Sequence, residues 1–329
     1  MQKVKISIAC CTYNGEQYLL EQLLSIASQT RTPDELVICD DGSIDRTIEI
    51  IENFALAAPF VVRLYKNDGQ SLGSAKNFEK AIKLCFGDMI VLSDQDDVFR
   101  RDKLELLVKA LNDNPTCDLV ISDASLIDEI GNEIATSLWE YQKLKPKEGK
   151  PFRRLVYNNF ATGCTMMFRR SLLDLALPFP SNVYMHDWWL AVVSVSSNGG
   201  GICLVSDALT KYRQHNLNVL GAQRAKFFTI SNVINRIKSP PQNIIENKLL
   251  IRLRHLDRLS EYLQKNFWTK GERRTINEVK SLVEGYLNDR NVSLLKRIIK
   301  IPQRIRYAML RGGFLSAFSE IVFTIWPNS

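Results

Sequence analysis

The chain has 329 residues, 45% of them hydrophobic and 24% charged, with 43 Lys/Arg against 36 Asp/Glu. Those proportions suit a folded globular protein and exclude a disordered chain, a collagen-like repeat and a disulfide miniprotein. No run of 18 or more apolar residues occurs, so no transmembrane helix is expected.

Charge is divided unevenly. Residues 1–222 carry 23 Lys/Arg and 28 Asp/Glu, whereas residues 223–329 carry 20 and 8. An acidic front and a strongly basic tail imply different surfaces with different tasks. The seven cysteines (Cys10, Cys11, Cys39, Cys85, Cys117, Cys164, Cys203) form no Cys-x-x-Cys pair and sit mostly in apolar runs. Small buried thiols in a reducing compartment account for them. The N-terminus meets polar residues after one short apolar run and has no signal-peptide pattern, so a cytoplasmic location is expected.

In chain order, Val4–Cys10 reads as a strand, followed by a helix through Leu19, Leu20, Leu23, Leu24 and Ile26. Glu35–Cys39 is a second strand and Ile44–Phe54 a second helix. Val61–Tyr65, a helix over Ala75–Cys85 and a strand at Met89–Ser93 complete the alternation. Short apolar strands separated by helices predict an α/β protein with a parallel sheet. The middle is less regular, with strands expected at Asp118–Ser122 and Gly201–Val205 and a polar loop over Lys143–Pro151. From Ser231 onward the pattern is helical: Leu249, Leu253, Leu256, Leu259 and Leu263 share a face, as do Ile276, Val279, Leu282, Val283 and Tyr286. The expected organisation is an α/β domain over 1–222 and a helical, basic appendage over 223–329.

Ligands of open parallel sheets bind at the carboxyl ends of the strands. Three polar clusters stand there: Cys11-Thr12-Tyr13-Asn14-Gly15, Asp40-Asp41-Gly42-Ser43 and Asp94-Gln95-Asp96-Asp97. Carboxylates this crowded repel one another unless a cation or solvent separates them. Hard Mg2+ or Mn2+ chooses such oxygens and shares substrate phosphates. The competing structural reading is turn and cap chemistry, with Ser43 or Asp45, and Asp96 or Asp97, starting the helices that follow. No Gly-x-Gly-x-x-Gly follows the first strand and no Gly-x4-Gly-Lys-Ser/Thr occurs, which argues against a dinucleotide-binding dehydrogenase and against a P-loop NTPase.

Taken together, Thr12-Tyr13-Asn14-Gly15, Asp40-Asp41-Gly42-Ser43, Asp94-Gln95-Asp96-Asp97, His186-Asp187-Trp188-Trp189 and Tyr212-Arg213-Gln214-His215 resemble a family 2 glycosyltransferase of the GT-A fold. Within that family they are most similar to rhamnosyltransferase-like enzymes of bacterial surface polysaccharide synthesis. The resemblance covers residues 4–221. It implies that Cys11, Tyr13, Asn14, Asp41, Lys76, Asp94 and Gln95 bind a nucleotide sugar, and that Asp96, Asp94 and His215 hold Mn2+ or Mg2+. It also implies that Asp187 is the base of an inverting transfer, taking the acceptor proton, and that Gly163, Cys164 and Trp188 lie on the acceptor side. Cys11 stands where many members have Thr and Ser71 where many have Asn, which leaves the nucleobase open. Without the resemblance, His186 and Asp187 could equally be a structural hydrogen-bonded pair, and Trp188 or Trp189 plain core.

The tail interleaves Lys296, Arg297, Lys300, Arg304 and Arg306 with Leu294, Leu295, Ile298, Ile299 and Ile301. A basic amphipathic helix either lies on an anionic membrane surface or packs on the catalytic domain. The first would make the protein peripheral on the inner face of the cell membrane, where a lipid-linked glycan acceptor is found. Basic helices without a nucleic-acid-binding motif argue against nucleic acid. The expected activity is metal-dependent, inverting transfer of a sugar, from dTDP-L-rhamnose or from a UDP-hexose or UDP-N-acetylhexosamine, onto a growing surface glycan. The rival of another class is a non-catalytic nucleotide-binding or membrane-scaffold protein.

Overall fold

The computed structural model describes residues 4–222 apart from 68, 158, 182, 184, 197, 217, 219 and 220, and beyond them residues 253, 256, 257, 259–261 and 269–288. The basic segment 290–329, His255, Leu249 and Leu263 lie outside the described residues.

Four parallel strands, β1 (Ile6–Thr12), β2 (Glu35–Asp40), β3 (Val61–Lys66) and β4 (Met89–Ser93), pair in the order β3-β2-β1-β4. Helices α1 (Leu19–Ala27), α2 (Thr47–Ala57) and α3 (Ser74–Leu84) connect them. β2 and β4 are buried throughout, and β1 throughout but for Cys11, which is why they read as unbroken apolar runs. Leu19, Leu23 and Ile26 of α1 pack with Ile6, Ile8, Ile38 and Val91 in one cluster. Their spacing is the helical one that puts a single face on the sheet.

The second half makes the sheet mixed. β8 (Met166–Arg169) runs antiparallel to β4 and to β6 (Leu119–Ile127), and β9 (Ile202–Arg213) runs parallel to β6. Both β6 and β9 extend well past the expected Ser122 and Val205, through register shifts around Asp123. β5 is only Val98–Phe99, antiparallel to β9 at Lys211 and Thr210. β7 (Glu133–Ala135) pairs with β6 beside α5 (Leu138–Tyr141). Helix α4 (Lys103–Asp113) begins at Asp102, so neither Asp96 nor Asp97 caps it.

The chain divides into two compact units: residues 1–151, 160–179 and 185–224 form the first, and 152–159, 180–184 and 225–329 the second. In the second, α6 (Phe152–Tyr157) carries Arg153, whose Nη2 lies 3.2 Å from Glu278 Oε2 on the helix Lys270–Asn288. Thr269 and Glu272 start that helix with a reciprocal capping box: Thr269 N–H donates to Glu272 Oε2 and Glu272 N–H to Thr269 Oγ1. Ile276, Val279 and Val283 are buried, as their periodicity predicts. Among the described residues no helix is long and apolar enough to cross a membrane.

Candidate active site

Thr12 lies opposite Asp40, and Cys10 opposite both Ile38 and Ser93, so three strands end level and their loops leave the same edge. Gln95 clamps the first loop to the third: Tyr13 N–H donates to its Oε1 at 2.8 Å and its Nε2 donates to Tyr13 O at 3.0 Å. Gly15 packs against it: a Cβ there would fall 2.3 Å from Gln95 Oε1, so any side chain at 15 forces the Gln95 amide to move. Asn14 takes a left-handed backbone (φ 47°) and joins the second loop, with its N–H on Ser43 Oγ and its Oδ1 receiving Ile44 N–H. Tyr13 is left 56% exposed at the mouth. Cys11 is half-buried, and burial pushes its thiol up.

Asp40 holds its own turn by accepting from Gly42 and Ser43, the role the sequence allowed for turn chemistry. Asp41 is different. Its oxygens accept from Asn67 Nδ2, Ser71 Oγ, Leu72 N–H and Gly73 N–H at 2.6–3.0 Å. Burial alone would raise its pKa, but these hydrogen bonds outweigh it and hold the carboxyl below its ordinary range. A nucleotide contact at Asp41 would therefore exchange for one of them. Lys76 lies on α3 with Nζ 2.5 Å from Glu79 Oε2.

After β4, Asp94 is half-buried while Asp96 and Asp97 are buried. Desolvation, then the charges of Asp97, Asp96 and Asp187, push Asp94 well above the carboxylate range. Asp97 is pushed up to about 7 by burial and by Asp96. Lys103 is buried beneath, donating to Cys164 O and Thr210 Oγ1, and desolvation lowers it to about 7. Cys164 is fully buried, packed under the acidic cluster.

Pairing of β5 with β9 brings Asp96 and Asp97 to the end of β9. Arg213 N–H donates to Asp97 Oδ1, and its buried guanidinium donates to Asp96 O and to Glu21 Oε2 while lying 4.7 Å over the Tyr18 ring. The following turn sets His215 Nε2 2.8 Å from Asp96 Oδ2. The expected metal set is thus split: His215 pairs with Asp96, while Asp94 groups with Asp97 and Cys164, their candidate ligand atoms within 4.8 Å of one another. The carboxylates fit a hard divalent cation, the more so because Asp97 Oδ2 is buried without a hydrogen-bond partner of good geometry. The Cys164 thiol, soft and pushed up by burial, does not.

Asp187 sits in the first turn of α8 (His186–Ser194), 7% exposed. Gly163 N–H donates to its Oδ2 at 3.0 Å from the short 3-10 turn Gly163–Thr165, and Trp188 N–H to its Oδ1 at 2.5 Å. Burial raises the carboxyl to about 6, with those two N–H groups opposing. His186 makes no pair with Asp187; its ring stacks on Phe78. Trp188 and Trp189 are both buried, and Trp189 Nε1 donates to Ala176 O. Burial of Arg213 and Lys103 has no local sign in the sequence: Arg213 lies within Tyr212-Arg213-Gln214-His215, and Lys103 is flanked by Asp102 and Leu104 like an ordinary surface lysine.

A family model described as Glycosyl transferase family 2 matches residues 7–175. The chain is 28% identical over 239 residues to the dTDP-rhamnosyl transferase RfbG of Shigella flexneri, covering 68% of this chain and 79% of that relative. It spans 59% of the length of three further relatives, all mycobacterial. Among solved structures it is similar to Staphylococcus aureus TarS 1–349 in complex with UDP (TM-score 0.58, 17% identity, 98% and 89% of the two chains). A mannosyltransferase from Pyrobaculum calidifontis in complex with GDP-Man and Mn2+ gives a TM-score of 0.55 at 16% identity, over 100% and 89% of the chains. The mixed sheet with its flanking helices is the GT-A fold.

Proposed function

The chain belongs to glycosyl transferase family 2, and from that premise we propose that it moves L-rhamnose from dTDP-L-rhamnose, with inversion, onto a hydroxyl of a growing bacterial surface glycan or lipid-linked glycan. The dTDP-rhamnosyl transferase among its relatives supports this donor. Cys11, Tyr13, Asn14, Asp41, Lys76, Asp94 and Gln95 bind the nucleotide sugar. Asp96 and Asp94, with His215 beside Asp96, hold Mn2+ or Mg2+, which when bound stabilises charge on the leaving diphosphate. Gly163, Cys164 and Trp188 belong to the acceptor side. Residues 1–222 are the transferase domain, and the basic region 223–329 meets an anionic membrane surface.

The observation that carries this reading is the setting of Asp187. A buried carboxylate with a pKa near 6 is a stronger base than an ordinary one, yet it is mostly ionised at neutral pH. It takes the proton of the acceptor hydroxyl as that oxygen bonds to the anomeric carbon. The bond from that carbon to the diphosphate oxygen breaks, and its electron pair leaves with the nucleoside diphosphate. The test is transfer by Asp187→Asn: donor affinity is retained and transfer lost, and unchanged turnover refutes the assignment.

A further inference from the structure

Arg213 is 2% exposed, and burying a guanidinium is costly unless its donors are met. Three separate elements meet them. Nε donates to Asp96 O at 2.9 Å in the loop after β4, and Nη1 to Asp128 O and Glu129 O at 3.3 and 3.4 Å in the turn after β6. Nη2 donates to Glu21 Oε2 at 2.5 Å on α1. A clasp of this kind would tie the loops together whatever lay beside it.

Beside it stands a candidate metal ligand. The Tyr18 ring takes the Arg213 guanidinium 4.7 Å from its centroid and the His215 ring at 5.0 Å, with 35° between the two ring planes. Tyr18 is half-buried, and its side chain makes no cap for α1, so the ring has no part in starting that helix. His215 Nε2 lies 2.8 Å from Asp96 Oδ2. Adjacent ligands of an octahedral cation bound at ~2.1 Å are ~3 Å apart, so this pair is spaced to share one small ion. Arg213 reaches both of its members, Asp96 through the carbonyl and His215 through the Tyr18 ring.

We infer that Arg213 and Tyr18 are positioning residues of the cation site, holding the His215 imidazole beside the Asp96 carboxylate. The inference rests on the reading that Asp96 and His215 hold Mn2+ or Mg2+. Arg213 and Tyr18 act through these two ligands and neither is itself one. Groups that orient metal ligands are typically worth about 10–100-fold in metal affinity.

The test titrates Mn2+ into the full chain, alone and with dTDP, and follows the free ion by electron paramagnetic resonance. Tyr18→Leu removes the ring and leaves the hydrogen bonds of Arg213 in place. Its melting temperature should stay close to that of wild type while Kd for Mn2+ rises about tenfold. Tyr18→Phe keeps the ring and should bind Mn2+ as wild type does. Arg213→Lys, a cation without the fork that spans these acceptors, should weaken Mn2+ by a similar factor. Affinity for dTDP in EDTA should be the same in all of them. Spin-echo spectra of the bound ion should show a coordinated imidazole nitrogen in wild type and Tyr18→Phe, and a weakened one in Tyr18→Leu. Unchanged Mn2+ affinity in Tyr18→Leu or Arg213→Lys, an equal loss in Tyr18→Phe, a parallel loss of dTDP affinity in EDTA, or an undiminished imidazole signal in Tyr18→Leu overturns the inference. A wild-type chain that binds no Mn2+, or an Asp96→Ala chain that binds it equally well, refutes the cation reading itself, and the inference with it.

Discussion

Replacing Asp187 by Asn perturbs stability and catalysis in opposite, calculable ways. The carboxyl has a pKa of about 6 in the fold against an ordinary 3.8, and roughly two units correspond to about 3 kcal/mol. The fold favours the protonated form. Its contribution is therefore fully present below the unfolded value and is lost as pH rises through about 6. Asn does not ionise, so the variant should gain about 3 kcal/mol on wild type between pH 4 and pH 7. One of the two N–H groups now donating to Asp187, from Gly163 and Trp188, must face the amide nitrogen, a pH-independent loss of about 1–3 kcal/mol. Asp187 also helps to raise Asp94, so its removal eases ionisation there and adds to the gain in the same direction. Urea unfolding of both proteins at pH 4, 5, 6 and 7 measures the difference. Turnover should fall by about 10²–10⁴, the usual worth of a general base. A stability gap that does not move with pH, or turnover within about threefold of wild type, would refute the reasoning.

Further outcomes follow from neighbouring residues. In wild type, kcat/KM should decline about tenfold per pH unit below about 6 as Asp187 protonates; a profile flat to pH 4.5 would exclude it as the base. Arg213→Met strands the Asp96 carbonyl without its buried donor and removes the ion pair to the exposed Glu21, so unfolding free energy should drop by about 1–3 kcal/mol, and denaturant titration checks this. Gly15→Ala drives a Cβ into Gln95 Oε1; calorimetry should show weakened donor binding with Mn2+ present, and full affinity would mean that the Gln95 clamp does not shape the nucleotide site.

β1, β2 and β4 were legible because strands buried on both faces leave unbroken apolar runs, β3 at the sheet edge through its short run Val61, Val62 and Leu64 although it is only partly buried, and the helices between them follow the 3.6-residue period. The second half was legible only in outline. β5 is two residues long and exists through its pairing with Lys211 and Thr210, more than a hundred residues away, a contact that no local pattern encodes. β9 runs past Val205 because its register shifts let exposed and buried residues alternate irregularly. Within the site, the acidic loop after β4 was visible as crowded charge, and Asp187 and His215 through the resemblance. The pairing of His215 with Asp96 and the burial of Arg213 were not, since both depend on that long-range closure. The tryptophans and cysteines looked ambiguous in sequence because their types suit core and binding face alike; burial of Trp189 and Cys164 came from packing against α7 (Leu172–Ala176) and the acidic loop.

Calorimetry and hydrolysis with dTDP-rhamnose, UDP-hexoses and GDP-mannose, with and without Mn2+, test nucleotide-sugar transfer most directly, with Asp96→Ala as the control. The account predicts that dTDP-rhamnose binds and is consumed only with the cation, and that Asp96→Ala abolishes both. If none of these donors binds to the wild-type protein with Mn2+ present, the account is contradicted.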